Sequence, residues 1–240
     1  MGFSFTGIVY FLEFLATGLL VFRLFQYQRR EKTLFAKYFF YFASIFGLFL
    51  FITAMGSLFF AENQQVLRGV VISAALLQGL ACAILGYLIT YISFPRISPW
   101  IGFGIVLALA LASVIFSLVT PFAPFSELNG NFKVINWDTQ PTADILRFSL
   151  FLITFFPIMI IFFKRGLAAQ DKELKTKTLG FSMIFFFGLV STLLDFFLNR
   201  YFDIGAISNN IAILFLAIST FLTVIFTQKP PPPLYVSKIQ

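Results

Sequence analysis

Along this chain the apolar residues do not alternate with polar ones. They come in unbroken runs, separated by short charged or turn-forming stretches. Seven runs are legible, over residues 3–22, 38–60, 69–93, 100–120, 145–163, 179–199 and 204–227. About twenty apolar residues, rising ~1.5 Å each in a helix, match a hydrocarbon core roughly 30 Å thick. A membrane barrel would instead alternate in segments of about ten residues. The pattern predicts an all-α integral membrane bundle of seven transmembrane helices.

Composition agrees. The 240 residues are 59% hydrophobic and 11% charged, with mean hydropathy +0.92, whereas soluble domains carry about 25% charged residues. The net charge of +7 comes from residues placed by topology rather than from a nucleic-acid surface. Of the 17 lysines and arginines, all but Arg68, Lys133, Arg147 and Arg200 fall on one side of the seven-span plan. The positive-inside rule makes that side cytoplasmic. The N-terminus is then outside, the C-terminus is cytoplasmic, and the bilayer is expected to be a plasma or inner membrane.

Two connecting stretches carry signals of their own. In the exterior loop 121–144, Asn129-Gly130 between β-prone residues predicts a small hairpin or cap, with an irregular connector as the alternative. The tail 229–240 contains four prolines in a row and should be extended. Pro232-Pro233-Leu234-Tyr235 matches a WW-domain ligand, but the expected role of the stretch is a stiff terminator of the last helix. Met1-Gly2 opens a formal myristoylation pattern, but the first apolar run begins at once, so neither lipidation nor a cleaved signal is expected.

Histidine is absent and Cys82 is the single cysteine. No histidine-ligated haem or zinc, no Ser-His or Cys-His nucleophile and no internal disulfide is available to the chain by itself. An enzyme is not expected, nor is a cofactor.

The candidate chemistry lies in polar residues inside the spans. Thr6, Tyr10, Glu13 and Thr17 recur on one helical face, with Glu13 near the bilayer midplane. A carboxyl there must face the bundle interior, either lining a ligand pocket or proton path or serving as hydrogen-bond glue between helices. Gln78, one turn before Cys82, is its depth-matched partner in the third span. Nearer the exterior, Arg147 is expected to pair with Asp195. With Asn199, Asn209 and Asn210 they outline an outer polar vestibule, to which Gly188, Ser191 and Thr192 add a polar side of span six. Pro157 should kink span five, and the 37 phenylalanines serve packing and interfacial anchoring.

Spans one to three and five to seven each show a basic loop, an aromatic span and a short turn, which suggests a 3+1+3 pseudo-repeat. Retinal as a covalent chromophore is not expected, because span seven has no lysine, and the Pro-Gln pair of PQ-loop transporters is missing from the spans. In layout, the chain resembles the seven-helix membrane sensor region of bacterial histidine kinases and diguanylate cyclases. Arg29-Arg30-Glu31-Lys32 leads into an aromatic second span, Lys172 to Lys177 leads into span six, and Leu194-Asp195-Phe196 and Tyr201-Phe202-Asp203-Ile204 bracket the last exterior turn.

That resemblance implies a sensor- or receptor-like protein that binds a small or lipidic ligand. With only a short tail after Thr227, its output would pass to a separate membrane or cytoplasmic protein. A small transporter, proton-coupled through Glu13, and a structural subunit of a membrane complex are the alternatives.

Overall fold

The computed structural model describes residues 4–194 and 207–226. Seven helices are found among them: α1 (Phe5–Glu31), α2 (Leu34–Phe59), α3 (Gln64–Ser93), α4 (Pro99–Val119), α5 (Pro141–Ala168), α6 (Lys172–Leu193) and α7 (Ile207–Phe226). All seven are long and apolar enough to span a membrane, the mark of an integral membrane protein. The hydrophobic runs locate every helix but understate several. α1 continues through Arg29 and Arg30, and α5 through Lys164 and Arg165. Hydropathy marks the lipid-length stretch, whereas Lys, Arg, Gln and Glu propagate a helix well beyond it.

Local chemistry sets the helix starts. The hydroxyls of Ser4 and Thr33 and the amide oxygen of Asn63 accept from backbone N–H groups of the first turns of α1, α2 and α3. Pro99 and Pro141 stand in the first turn of α4 and α5. α1 ends where Lys32 adopts φ 48° and closes onto Gln28, so two residues suffice to reverse the chain into α2.

Burial is inverted relative to a protein in water. Thr6, Glu13, Thr17, Thr53, Ser113 and Thr154 are buried, while Leu12, Leu19, Phe22, Ile105 and Ile115 are exposed on the outside. Hydrocarbon as solvent demands this, since an unsatisfied polar group there costs several kcal/mol. Thr53, Thr154 and Ser117 also return their hydroxyls to carbonyls one turn back on their own helices.

Successive helices pack against each other in a ring, and α7 closes it against α1. Contacts such as Gly7–Leu58, Gly56–Val70, Gly79–Ala110 and Gly166–Leu179 run antiparallel. The closing pair is parallel, as an odd number of helices requires: Thr6 meets Asn210, and Glu13 meets Thr220. Phe39, Phe42 and Phe46 of α2 fill the centre against Phe155 and Phe162 of α5 and Phe181 and Phe185 of α6. Their rings form a connected column, with Phe42–Phe185 centroids 5.8 Å apart and Phe162–Phe185 6.0 Å apart. α5 remains helical through Pro157.

The segment between α4 and α5 forms an antiparallel hairpin, β1 (Phe125–Asn129) and β2 (Phe132–Asn136), with Asn129 opposite Phe132. Gly130 supplies the positive φ, 60°, at the first of the two central turn positions.

α3 and α4 approach closely at Gly86 and Gly102. A Cβ on Gly102 would collide with the Thr90 hydroxyl and the Gly86 carbonyl, while one on Gly104 would meet nothing within 4 Å. Gly102→Ala should therefore lose about 1–3 kcal/mol through forced backbone separation, seen as a lower Tm in detergent. Gly104→Ala should leave Tm unchanged or raise it slightly.

Candidate functional site

The hairpin covers one end of the bundle. Val134 and Ile135 of β2 are buried, and Ile135 packs with Ala61, Leu67 and Trp137. The Ile135 N–H donates to the Thr6 hydroxyl at 3.0 Å, and the Ser4 hydroxyl donates to the Lys133 carbonyl at 3.4 Å. The side-chain amide of Asn210 also donates to the Thr6 hydroxyl, at 3.0 Å. One oxygen thus joins the first helix, the hairpin and the last helix. At the surface, Lys133 Nζ lies 2.6 Å from Glu62 Oε1 in the turn between α2 and α3, and the ammonium holds the Glu62 carboxyl below the usual carboxylate range.

Beneath this cover lies a small cavity of about 40 Å³, whose walls include Tyr10, Thr53, Gln78, Trp137, Thr139 and Arg147. A second, also of about 40 Å³, adjoins it and reaches between Phe46, Phe151, Ser191 and Asn209. Tyr10, Phe49 and Gln78 belong to both. The Tyr10 ring stands edge-on to Trp137 and to Phe49, with centroids 6.5 and 6.2 Å away. As they stand the two cavities have room for a few waters, well short of the roughly 300–1,000 Å³ of a typical small-ligand site.

The structure distributes the residues singled out in the sequence among different places. Thr6, Tyr10, Glu13 and Thr17 are all buried on one side of α1. Tyr10 turns to the cavities, whereas Glu13 turns to α7 and the Thr17 methyl lies near Gly47 of α2. Glu13 Oε1 accepts from the Thr17 hydroxyl at 3.0 Å and the Thr220 hydroxyl at 3.4 Å, rather than from Gln78. The reason is the ring order: α1 packs between α2 and α7, so Gln78 on α3 meets Tyr10 across the cavities instead.

Arg147 is buried, and its Nη2 donates to the Ser117 hydroxyl at 3.1 Å. The neighbouring carboxylate of Asp144, one helical turn earlier, accepts from the Thr139 hydroxyl. Asp195, expected opposite Arg147, and Asn199 lie outside the described residues, as does the Pro-rich tail. Asn209 accepts from the Ser191 hydroxyl at 2.9 Å and lines the deeper cavity, while Asn210 leaves the vestibule for Thr6.

Trp137, Thr139, Ser117 and Thr220 escaped the sequence reading. Trp137 is one of only two tryptophans and stands in a connecting segment, which was a usable signal. A serine or threonine in an apolar run carries none, because it can equally return its hydroxyl to its own helix. At the opposite end, Lys177 is buried beside a small apolar cavity of about 30 Å³ walled by Phe35, Phe39, Phe162 and Phe181. No protein-family model and no curated protein matches the chain.

Thr6→Val should remove the acceptor of two buried donors at a cost of about 1–3 kcal/mol. Hydrogen exchange at the Ile135 amide should accelerate selectively, while amides in α3 and α4 keep their protection. The Glu62–Lys133 pair gives a pH prediction. Because the Glu62 carboxyl is depressed, the pair contributes fully above the ordinary carboxylate range, and its contribution disappears as pH falls through the lowered value. Exchange in β2 should therefore rise on acidification in the native chain, and Glu62→Gln should flatten that rise.

Proposed function

We propose that the chain is a receptor- or sensor-like membrane protein that takes a small, partly polar or lipidic ligand into the chamber beneath the hairpin and acts through a separate partner. The observation that carries this reading is the pair of small adjoining cavities beneath the hairpin, which share Tyr10, Phe49 and Gln78 as a common wall and would open to admit a ligand. Thr53, Gln78, Thr139, Arg147, Ser191, Thr192 and Asn209 supply polar groups among the aromatic and aliphatic side chains of the walls.

The basic end of the bundle, with Arg29, Arg30, Lys37, Lys164 and Arg165, would face the cytoplasm and the hairpin end the exterior. A ligand would then enter from outside. The aromatic column supports a route for the response. Phe46 walls the deeper cavity and touches Phe42; Phe42 touches Phe185; Phe185 touches Phe162, which walls the cavity at the basic end. The layout shared with seven-helix sensor regions fits the same reading. A proton-coupled transporter acting through Glu13 fits less well, because Glu13 lines neither cavity.

The test is to purify the full chain in mild detergent from native membranes and to identify by mass spectrometry every molecule that stays bound. Gln78→Trp fills the shared wall and should lower occupancy by about tenfold or more, equivalent to ~1.4 kcal/mol, with the circular dichroism of the native protein retained. An identical complement of bound molecules in the native chain and in Gln78→Trp would sink the proposal.

A further inference from the structure

Glu13 is the acidic group whose surroundings leave its charge unexplained. It is 1% exposed, and it lies eight residues into α1 from Phe5, about 12 Å along the axis and well inside the hydrocarbon. Two hydroxyls, from Thr17 and Thr220, both donate to Oε1, while Oε2 is buried with no hydrogen-bond partner. A bare carboxylate at this depth is costly and is found paired.

Among the described residues, the elements packed around it supply no counter-charge. α7 has no ionisable residue from Ile207 to Phe226. On α2 the stretch facing this level, near Gly47, contains none, and Lys37, Tyr38 and Tyr41 lie at its basic end. Lys133 of β2 is at the hairpin end, paired with Glu62. On α1 itself, Tyr10 turns toward Trp137 and Phe49, and Arg23 lies ten residues further toward the basic end.

We propose that Glu13, Thr17 and Thr220 form a binding site for a small monovalent cation, a proton or Na⁺, held between α1 and α7. A proton would sit on Oε2, leaving Oε1 to accept both hydroxyls as observed. Na⁺ would be bound by the carboxylate and by lone pairs of the two hydroxyls, hard oxygen donors suited to such an ion. Either cation neutralises the buried charge at the parallel seam that closes the ring. The site stands apart from the chamber and does not depend on the chamber's ligand.

Infrared difference spectroscopy tests this on the full chain reconstituted in liposomes, at neutral pH, in choline buffer and after adding Na⁺. The difference between the native protein and Glu13→Gln isolates the Glu13 carboxyl. A carboxylic-acid C=O band in that difference means a bound proton. A carboxylate band that shifts on adding Na⁺, with a rise in Tm that Glu13→Gln does not share, means a sodium site. A carboxylate band indifferent to Na⁺ overturns the proposal. Thr220→Val keeps the carboxyl while removing one donor or ligand, so it serves if Glu13→Gln does not fold. It should shift the acid band or weaken the Na⁺ response severalfold, and a spectrum unchanged in Thr220→Val would equally overturn the assignment.

Discussion

The ring of seven helices closes through α1 lying parallel to α7, and that contact differs in kind from the others. Every other neighbouring pair in the ring is adjacent in sequence, and most are joined by a short turn that brings the two helices together. α1 and α7 are separated by nearly the whole chain. In hydrocarbon there is little solvent-driven attraction between apolar helix faces, so closure depends on polar contacts and close packing. Thr6 with Asn210, and Glu13 with Thr220, place those contacts at two levels of one seam. The Thr6 hydroxyl also anchors the Ile135 amide, so the hairpin is fixed by the group that closes the ring.

The interior is divided as a consequence. The centre is filled by phenylalanine, with Phe155 pressed against Gly188 and rings in contact from Phe46 to Phe162. Toward the hairpin the filling stops, and Gln78, Thr53, Arg147 and Trp137 surround open space. Small cavities flank the ring column at both ends, an apolar one beside Lys177 at the basic end and a pair walled by polar and aromatic groups together under the hairpin. The hairpin covers the polar pair and leaves the apolar one to the charged turns.

The helices were legible because lipid imposes a length and a polarity that no other solvent does. The hairpin was legible because Asn-Gly between β-prone residues signals a turn, although the two turn residues are Gly130 and Asn131, one position further on. The buried stripe of Thr6, Tyr10, Glu13 and Thr17 followed from helical periodicity alone. Its partners did not. Depth along a span can be counted, but the angular order of helices around a ring cannot be read from one sequence. Gln78, matched to Glu13 by depth, therefore stands across the cavities beside Tyr10, while the carboxyl found Thr220, an inconspicuous hydroxyl in an apolar run. Arg147 shows the same limit: its observed bond to Ser117 links two helices whose facing sides the hydropathy pattern leaves open.

Tyr10 and Glu13 stand three residues apart, and at 3.6 residues per turn that places them about 60° apart around α1. One faces the chamber and the other faces α7. A modest rotation of α1 would carry the carboxyl toward the chamber wall and the tyrosine away from it, breaking the Thr220 contact as it did so. Whatever neutralises Glu13 opposes that rotation, because it stabilises the carboxyl in the seam. Whatever fills the chamber against Tyr10 opposes it as well, by holding the ring against Trp137 and Phe49. If both proposed sites are occupied as inferred above, they would act on the same degree of freedom of one helix, and that helix continues as α-helix through Arg29 and Arg30 at the basic end. A rigid element with one end under the hairpin and the other among the charged turns is the simplest mechanical link this architecture offers between its two faces.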